Sequence, residues 1–264
     1  MKHSLIVTLL TDFGISDIFV GVMKGVILRV NPKLSVIDLT HQIPPQDISA
    51  GSFALLGAYR YFPRGTVHVG VVDPGVGTNR RAIAIRITEG YLVGPDNGIF
   101  TEILFHSPAI EAVELTESRF FATPNPSKTF HGRDIFASVA AYLACGTNIH
   151  KMGPLIHPST LIQLPLSMPI EEPDGWRGIV RAIDRFGNLI TNISGKLMEK
   201  QSWEVSLNSK ILPIVGTYSC RVPGDEMALI GSHGNLEIAL CQGNAQLHFE
   251  SRVGDDVFLK RKHS

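Results

Sequence analysis

VGVVDPGVGTNRR, from Val69 to Arg81, is an apolar run that ends in a carboxylate, turns through Pro74, Gly75 and Gly77, and returns with two arginines. The run reads as a buried strand with Asp73 at its tip, because a strand covered on both faces is apolar almost without interruption. Pro74 fixes the exit, and the glycines allow backbone geometry closed to other residues. A tight turn with a structural Asp73–Arg80 pair would explain the stretch. So would a carboxylate held near a guanidinium at the edge of a ligand pocket.

The neighbouring segments repeat this plan. SLIVTLLTDFG is a first strand ending in Asp12 and Gly14. In SDIFVGVMKGVILRVNP, Phe19, Val22, Met23, Val26 and Ile27 recur at helical spacing, with Ser16 placed to cap the start and Asn31-Pro32 the stop. LSVIDLT is a second strand, DISAGSFALLGAYRYFP a second helix, RAIAIRIT and YLVGPDNG two further strands, and RDIFASVAAYLACG a helix with a glycine stop. Alternating strands and helices predict an α/β sandwich domain with a mostly parallel, doubly wound sheet. Acids and amides at strand ends (Asp12, Asp73, Asp96-Asn97) then converge on the edge where such sheets bind ligands.

The pattern changes near residue 160. Residues 161–175 are rich in proline and read as an extended linker, and 176–264 hold short strands with turn signals and almost no helix. The expected organisation is an α/β domain over 1–160 and a smaller all-β, barrel-like domain over 176–264.

Composition excludes several classes of function. Lys+Arg and Asp+Glu are both 24 in 264 residues, so no basic surface for nucleic acid is indicated. Three cysteines, Cys145, Cys220 and Cys241, form no disulfide framework and no zinc knuckle, and suit a reducing cytoplasm. The apolar start leads straight into Asp12 and reads as a strand, not a signal peptide, and no run approaches the ~20 residues that span a membrane. Ten histidines are present without HxH, HExxH or CxxC, so no metal is expected. P-loop, GxGxxG and GxSxG motifs are absent.

Three more stretches carry chemistry. FHGRDIF places His131 and Gly132 ahead of a helix with Asp134 in its first turn; a structural histidine and a ligand-facing one both fit. IDRFGN brackets Phe186-Gly187 with Asp184 and Asn188. A plain hairpin explains the glycine, and an aromatic beside an amide also suits a heteroaromatic base. GSHGNLEIA sets Ser232, His233 and Asn235 in a glycine-flanked turn.

TDFG, VVDPGVGTNRR, GPDNGIF, FHGRDIF, IDRFGN and GSHGNLEIA, in this order along nearly the whole chain, resemble the S-adenosyl-L-methionine hydroxide adenosyltransferases, hydrolases related to fluorinase and chlorinase. The resemblance implies attack of water, as hydroxide, on ribose C5′ of S-adenosyl-L-methionine, giving adenosine and L-methionine without a metal or other cofactor. It implies a homotrimer with sites between subunits. It assigns Asp73, Arg80 and His131 to catalysis, Asp12 to the ribose diol, Asp184 to the methionine end and Asn188 to the adenine edge, with Ser232 near the methionine carboxylate and Asn97 also in the substrate site. The halogenases of this group carry an aromatic at the position of Asp73, a hydroxyl residue at that of Gly132, and an extra loop where only Glu89 and Gly90 stand here. A nucleoside-binding module without turnover, and a metal-dependent phosphatase with Asp12, Asp73 and Asn97 around an ion, are the alternatives.

Overall fold

The computed structural model describes residues 4–199 and 202–262. The chain forms two compact units, Met1–Leu166 and Ser167–Ser264. In the first, β1 (Ile6–Thr11), α1 (Phe19–Val30), β2 (Ser35–Thr40), α2 (Ile48–Ala58), β3 (Thr66–Val71), β4 (Ala82–Arg86), β5 (Gly90–Pro95), α3 (Thr101–His106), β6 (Glu111–Glu114), α4 (Ser138–Ala144) and β7 (Leu155–Ile156) follow in order. The sheet runs β2-β1-β3-β5-β4-β6-β7.

Alternate side chains of the buried strands feed two different cores, as the two-residue period of a strand requires. Leu9, Val69 and Val93 join Met23 and Ile27 of α1 and Val139, Ala140 and Leu143 of α4. Leu10, Ile83 and Leu92 join Leu55 of α2 and Ile103 of α3. Helices therefore cover both faces, and the unit is an α/β sandwich.

The sheet is mixed, which corrects the expectation of a mostly parallel one. β1–β2, β1–β3 and β3–β5 are parallel. β4–β5, β4–β6 and β6–β7 are antiparallel. The cause is connection length. A parallel pair needs a crossover of about a dozen residues or more, whereas the few residues joining β4 to β5 permit only a hairpin. The helix expected to start at Ser16 begins later: Ile18 stands at its N-cap without a side-chain cap, and residues 12–18 form the loop leaving β1.

The strand order fixes where a ligand can sit. β1 has β2 on one side and β3 on the other, with the chain passing to opposite faces, so the crevice opens beyond the carboxyl ends of β1 and β3. Asp12 and Asp73 follow those two ends.

In the second unit, β8 (Ile170–Glu172), β9 (Gly175–Ile183), β10 (Leu189–Ser194), β11 (Trp203–Leu207), β12 (Lys210–Leu212), β13 (Glu226–Ile230), β14 (Asn235–Leu240), the short helix α5 (Ala245–Phe249) and β15 (Asp256–Arg261) build a sheet in the order β12-β11-β15-β9-β10-β14-β13, with β8 also paired to β9. All its strand pairs are antiparallel. The long β9 turns the sheet by pairing β15 through its first half and β10 through its second. Ala228 of β13 exchanges backbone hydrogen bonds with the segment after β12, donating to Pro213 O and accepting from Val215 N, both at 2.9 Å. The sheet thereby nearly closes into a barrel around Val180, Leu189, Val205, Leu236, Ile238 and Leu259.

Within 161–175, expected as a linker, Ile162 N–H donates to Asp96 Oδ1 and Leu164 N–H to Thr101 Oγ1, both at 2.9 Å, and Ile170–Glu172 is the strand β8. Cross-strand pairing of 170–172 with Arg177, Trp176 and Gly175 makes that last part a hairpin arm.

Candidate active site

Just beyond β3, the Asp73 carboxylate accepts Arg80 Nε at 3.0 Å and Arg80 Nη2 at 2.5 Å. Both side chains are buried, at 5 % and 9 % exposure, so this is no surface ion pair of small consequence. The turn between them depends on Gly77. Its φ is +79°, and a Cβ there would stand 2.3 Å from Lys128 O. The same guanidinium reaches a third segment: Arg80 Nη2 donates to His131 Nδ1 at 2.7 Å. Beneath both lies Phe136, fully buried, with the Arg80 guanidinium 5.4 Å from its ring centre and the His131 ring edge-on to it.

His131 precedes a single turn of π-helix, Gly132–Ala137, that runs into α4. Such turns insert a residue into a helix and recur where a side chain must be aimed. The segment before it is pinned by Asp134, whose carboxylate takes Arg133 Nε at 2.6 Å and Ser127 N–H at 2.8 Å. Burial, reinforced by the Arg80 charge, holds the His131 imidazole below its ordinary pKa. The hydrogen bond agrees with a neutral ring: a guanidinium can only donate, so Nδ1 accepts and the proton sits on Nε2.

A hollow of about 350 Å³ opens at this point, lined by Asp12, Phe13, Asp73, Phe130, His131 and Gly132 among others. Its volume lies within the usual range for a small ligand. Phe13 and Phe130 supply aromatic wall to the hollow and pack edge to face with each other and with Phe19 at 5.3–5.9 Å. Asp12 Oδ2 accepts Gln46 N–H at 2.8 Å. Arg80 is not in the lining; it stands behind Asp73 and His131.

Asn97, expected in the substrate site, is turned away from the hollow. Its Nδ2 donates to Val72 O at 2.8 Å and its Oδ1 accepts Ile99 N–H at 3.2 Å. An amide held on both sides by backbone partners braces the strand end that carries Asp73. Asp96 is structural in the same way, with Arg81 Nε at 2.8 Å on one oxygen and Ile162 N–H on the other. Adjacent arginines thus serve two carboxylates on opposite sides of the strand.

The remaining expected residues gather in the second unit, around a separate hollow of about 620 Å³ that includes Asp184, Phe186, Asn188 and Ser232. Asp184 closes its own turn: Oδ1 accepts Phe186 N–H and Asn188 N–H at 2.9 Å, and Oδ2 accepts Asn188 Nδ2 at 3.0 Å. The carboxylate therefore orients the Asn188 amide, while Phe186, 77 % exposed, presents a free aromatic face. His233 of the GSHGN turn joins Glu237 and Tyr218, two residues that the sequence motifs do not mark, in one network. Glu237, 3 % exposed, takes His233 Nε2 on one oxygen at 3.1 Å and the Tyr218 hydroxyl on the other. Burial, then the Glu237 carboxylate, pushes the Tyr218 phenol up, while His233 and Tyr218 hold Glu237 below its usual range despite its burial. A glutamate inside the apolar run NLEIAL was the available signal. Phe13 and Phe130, inside TDFG and FHGRD, line the first hollow without any distinguishing signal in the sequence.

Among the described residues no group of His, Cys, Asp and Glu is arranged to hold a metal ion. The phosphatase alternative needs Asp12, Asp73 and Asn97 around an ion, and the Asn97 amide is engaged elsewhere.

Comparison with known proteins agrees with this geometry. Residues 7–153 match the sequence model of the SAM hydroxide adenosyltransferase N-terminal domain, and 178–258 that of the C-terminal domain. An (R)-S-adenosyl-L-methionine hydrolase of Salinispora tropica is 41 % identical over 236 residues, covering 89 % of this chain and 90 % of that protein. A fluorinase of Actinopolyspora mzabensis is a more distant relative, 27 % identical with 97 % of each chain covered. The crystal structure of an uncharacterized conserved protein from Thermotoga maritima superposes with a TM-score of 0.90 at 35 % identity, covering 97 % of this chain and 100 % of the other. With both halves matched and the carboxylate, guanidinium and imidazole drawn together at one sheet edge, the chain belongs to the SAM hydroxide adenosyltransferase family.

Proposed function

We infer that this protein is an enzyme that hydrolyses S-adenosyl-L-methionine by attack of water at ribose C5′, releasing adenosine and L-methionine. The observation that carries the reading is the line Asp73–Arg80–His131, its ion pair buried, at the rim of a nucleoside-sized hollow. A sulfonium departs as a neutral thioether, so the reaction asks for no general acid and no metal. It asks for a nucleophile placed in line with the C5′–S bond.

The tautomer divides the labour. His131 Nδ1 is taken by Arg80, so its Nε2–H is left to donate to the attacking water and fix its position. With the ring proton already on Nε2, the proton of the water passes to Asp73, the other group that lines the hollow. Arg80 lies behind both and is a positioning residue: it sets the Asp73 rotamer and the His131 tautomer, and its charge favours developing hydroxide nearby. The carboxylate at 73 repels halide, which separates this site from a halogenase site.

Asp12 holds the ribose diol; Asp184, Asn188 and Ser232 bind the methionine and adenine parts, with Phe186 offering a stacking face. Asn97 is left out of this set. The family resemblance further supports a homotrimer with sites between subunits. The three free cysteines favour a reducing, cytoplasmic location.

The test is a product assay with chelator present. Adenosine and methionine should form in equal amounts from S-adenosyl-L-methionine, with no halonucleoside when chloride or fluoride is in excess. Asp73→Ala and His131→Ala should abolish most turnover while calorimetry still detects adenosine binding. Binding without turnover in the unaltered protein would leave the nucleoside-binding module as the reading, and loss of turnover to the chelator would end the metal-free account. Sedimentation of the purified protein at a monomer or dimer mass would remove the trimer.

A further inference from the structure

Behind the first hollow lies a line of polar contacts that the reaction itself does not use. Thr11, fully buried at the end of β1, has its Oγ1 2.9 Å from Nδ1 of His41, which is 5 % exposed. His41 Nε2 lies 3.0 Å from Asp38 Oδ1, a charge contact outside hydrogen-bond alignment, and Asp38 Oδ2 accepts Lys24 Nζ at 2.6 Å. The Asp38 carboxylate beside Nε2 favours a ring proton there, and in that tautomer Nδ1 accepts and the Thr11 hydroxyl donates. Thr11 Oγ1 in turn accepts Phe13 N–H at 3.2 Å, and the His41 carbonyl accepts Gly14 N–H at 2.7 Å.

One residue thus holds both ends of the loop from Thr11 to Gly14, through its ring and its carbonyl. Asp12 and Phe13, two residues that line the hollow, are the middle of that loop. Asp12 is tied on its far side to Gln46 N–H, and Gln46 sits at φ +67° in a region costly for a side-chain-bearing residue. A wholly apolar contact would fill the space between β1 and β2 without the desolvation that a buried imidazole and hydroxyl incur. What the polar line adds is direction.

We propose that His41, with the Asp38 carboxylate at its back, is a positioning residue that aims Asp12 and Phe13 through the Thr11 hydroxyl and the Gly14 N–H, and so sets the grip of the site on the ribose. The proposal rests on the reading that Asp12 binds the ribose diol.

The experiment compares His41→Leu, His41→Asn, Thr11→Val and the double variant T11V/H41L by steady-state kinetics, adenosine calorimetry and thermal melting. His41→Leu and Thr11→Val should each raise KM and the adenosine Kd about tenfold while kcat stays within about threefold. His41→Asn, whose Oδ1 can accept where Nδ1 does, should recover most of the loss, and the double variant should be no worse than either single one, because both break the same line. A folded Thr11→Val protein with unchanged KM and adenosine Kd would overturn the proposal, as would a loss that falls on kcat alone or that His41→Asn does not restore. Thr11→Val is nearly isosteric and carries the test where His41→Leu does not fold. If the unaltered protein forms no adenosine, the hydrolase reading fails by itself; weaker adenosine binding in Thr11→Val would still uphold the role of His41. An unaltered protein that binds no adenosine ends both.

Discussion

Arg80 Nη2 donates to His131 Nδ1 across 2.7 Å while the same guanidinium grips Asp73, so one side chain decides where the proton of the imidazole sits. Protonation of His131 would place an N–H against that donor and break the line. Burial and the Arg80 charge lower the His131 pKa below 6.5, so the neutral, productive ring persists to more acid pH than a free histidine would allow. The acid limb of the kcat/KM profile is therefore expected below pH 6.5, with no loss between pH 7 and 8 from this group. A profile whose acid limb falls above that value would contradict the assigned tautomer.

Arg80→Lys is expected to be no conservative change. An ammonium on a flexible stem cannot satisfy Asp73 with two donors and reach His131 at once, nor lie over the Phe136 ring in the same way. kcat should fall roughly 100-fold or more, with a smaller effect on KM, because Arg80 does not line the hollow. Single-turnover rates on the variant would check this. A lysine variant within a few fold of the unaltered rate would mean that charge alone, without the fork, suffices.

Gly77 tests whether the turn is a built part of the site. An alanine would be forced into φ near +79° with its Cβ 2.3 Å from Lys128 O, and Lys128 leads directly into Thr129, Phe130 and His131. Gly77→Ala should cost at least ~2 kcal/mol in denaturant unfolding from the left-handed backbone and the displaced carbonyl. Activity should drop further than stability does, since the displaced segment carries the histidine. Unchanged urea midpoints would show that the loop 125–130 yields freely.

Much of this was legible in the sequence, and what was not has identifiable causes. Asp12 and Asp73 at the ends of apolar runs predicted their own convergence, because strand ends in an open α/β sheet share an edge. The antiparallel run of β4 is not legible in its apolar pattern, which looks the same either way; only the short link through Glu89 carries the information. Asn97 is engaged by the neighbouring backbone, and an amide at a strand end can serve a ligand or that backbone; its type in the sequence does not say which. The Tyr218–Glu237–His233 network joins a loop, a strand and a turn, and such contacts leave no spacing in the chain to read. His41 was silent for the same reason: its partners come from β1 and β2, and nothing in HQIPP marks a ring that faces inward.

His68 offers a stability test independent of the site. It lies in β3, 1 % exposed, with Nδ1 2.8 Å from Thr8 Oγ1 and Phe62 edge-on at 5.6 Å, and burial pushes its pKa down to about 4. The folded protein thus binds this proton less readily than the unfolded chain, whose histidine titrates near 6.5. Above pH 6.5 the group costs nothing; between pH 6.5 and about 4 stability falls as the unfolded state takes up the proton, and below that the loss is complete. The full loss is on the order of 3 kcal/mol, of which about 2 kcal/mol is expected between pH 7 and pH 5. His68→Gln should remove this part of the slope, so that urea unfolding free energies of variant and unaltered protein converge as the pH is lowered. Parallel stability curves for the two proteins across that window would mean that His68 takes up its proton inside the fold.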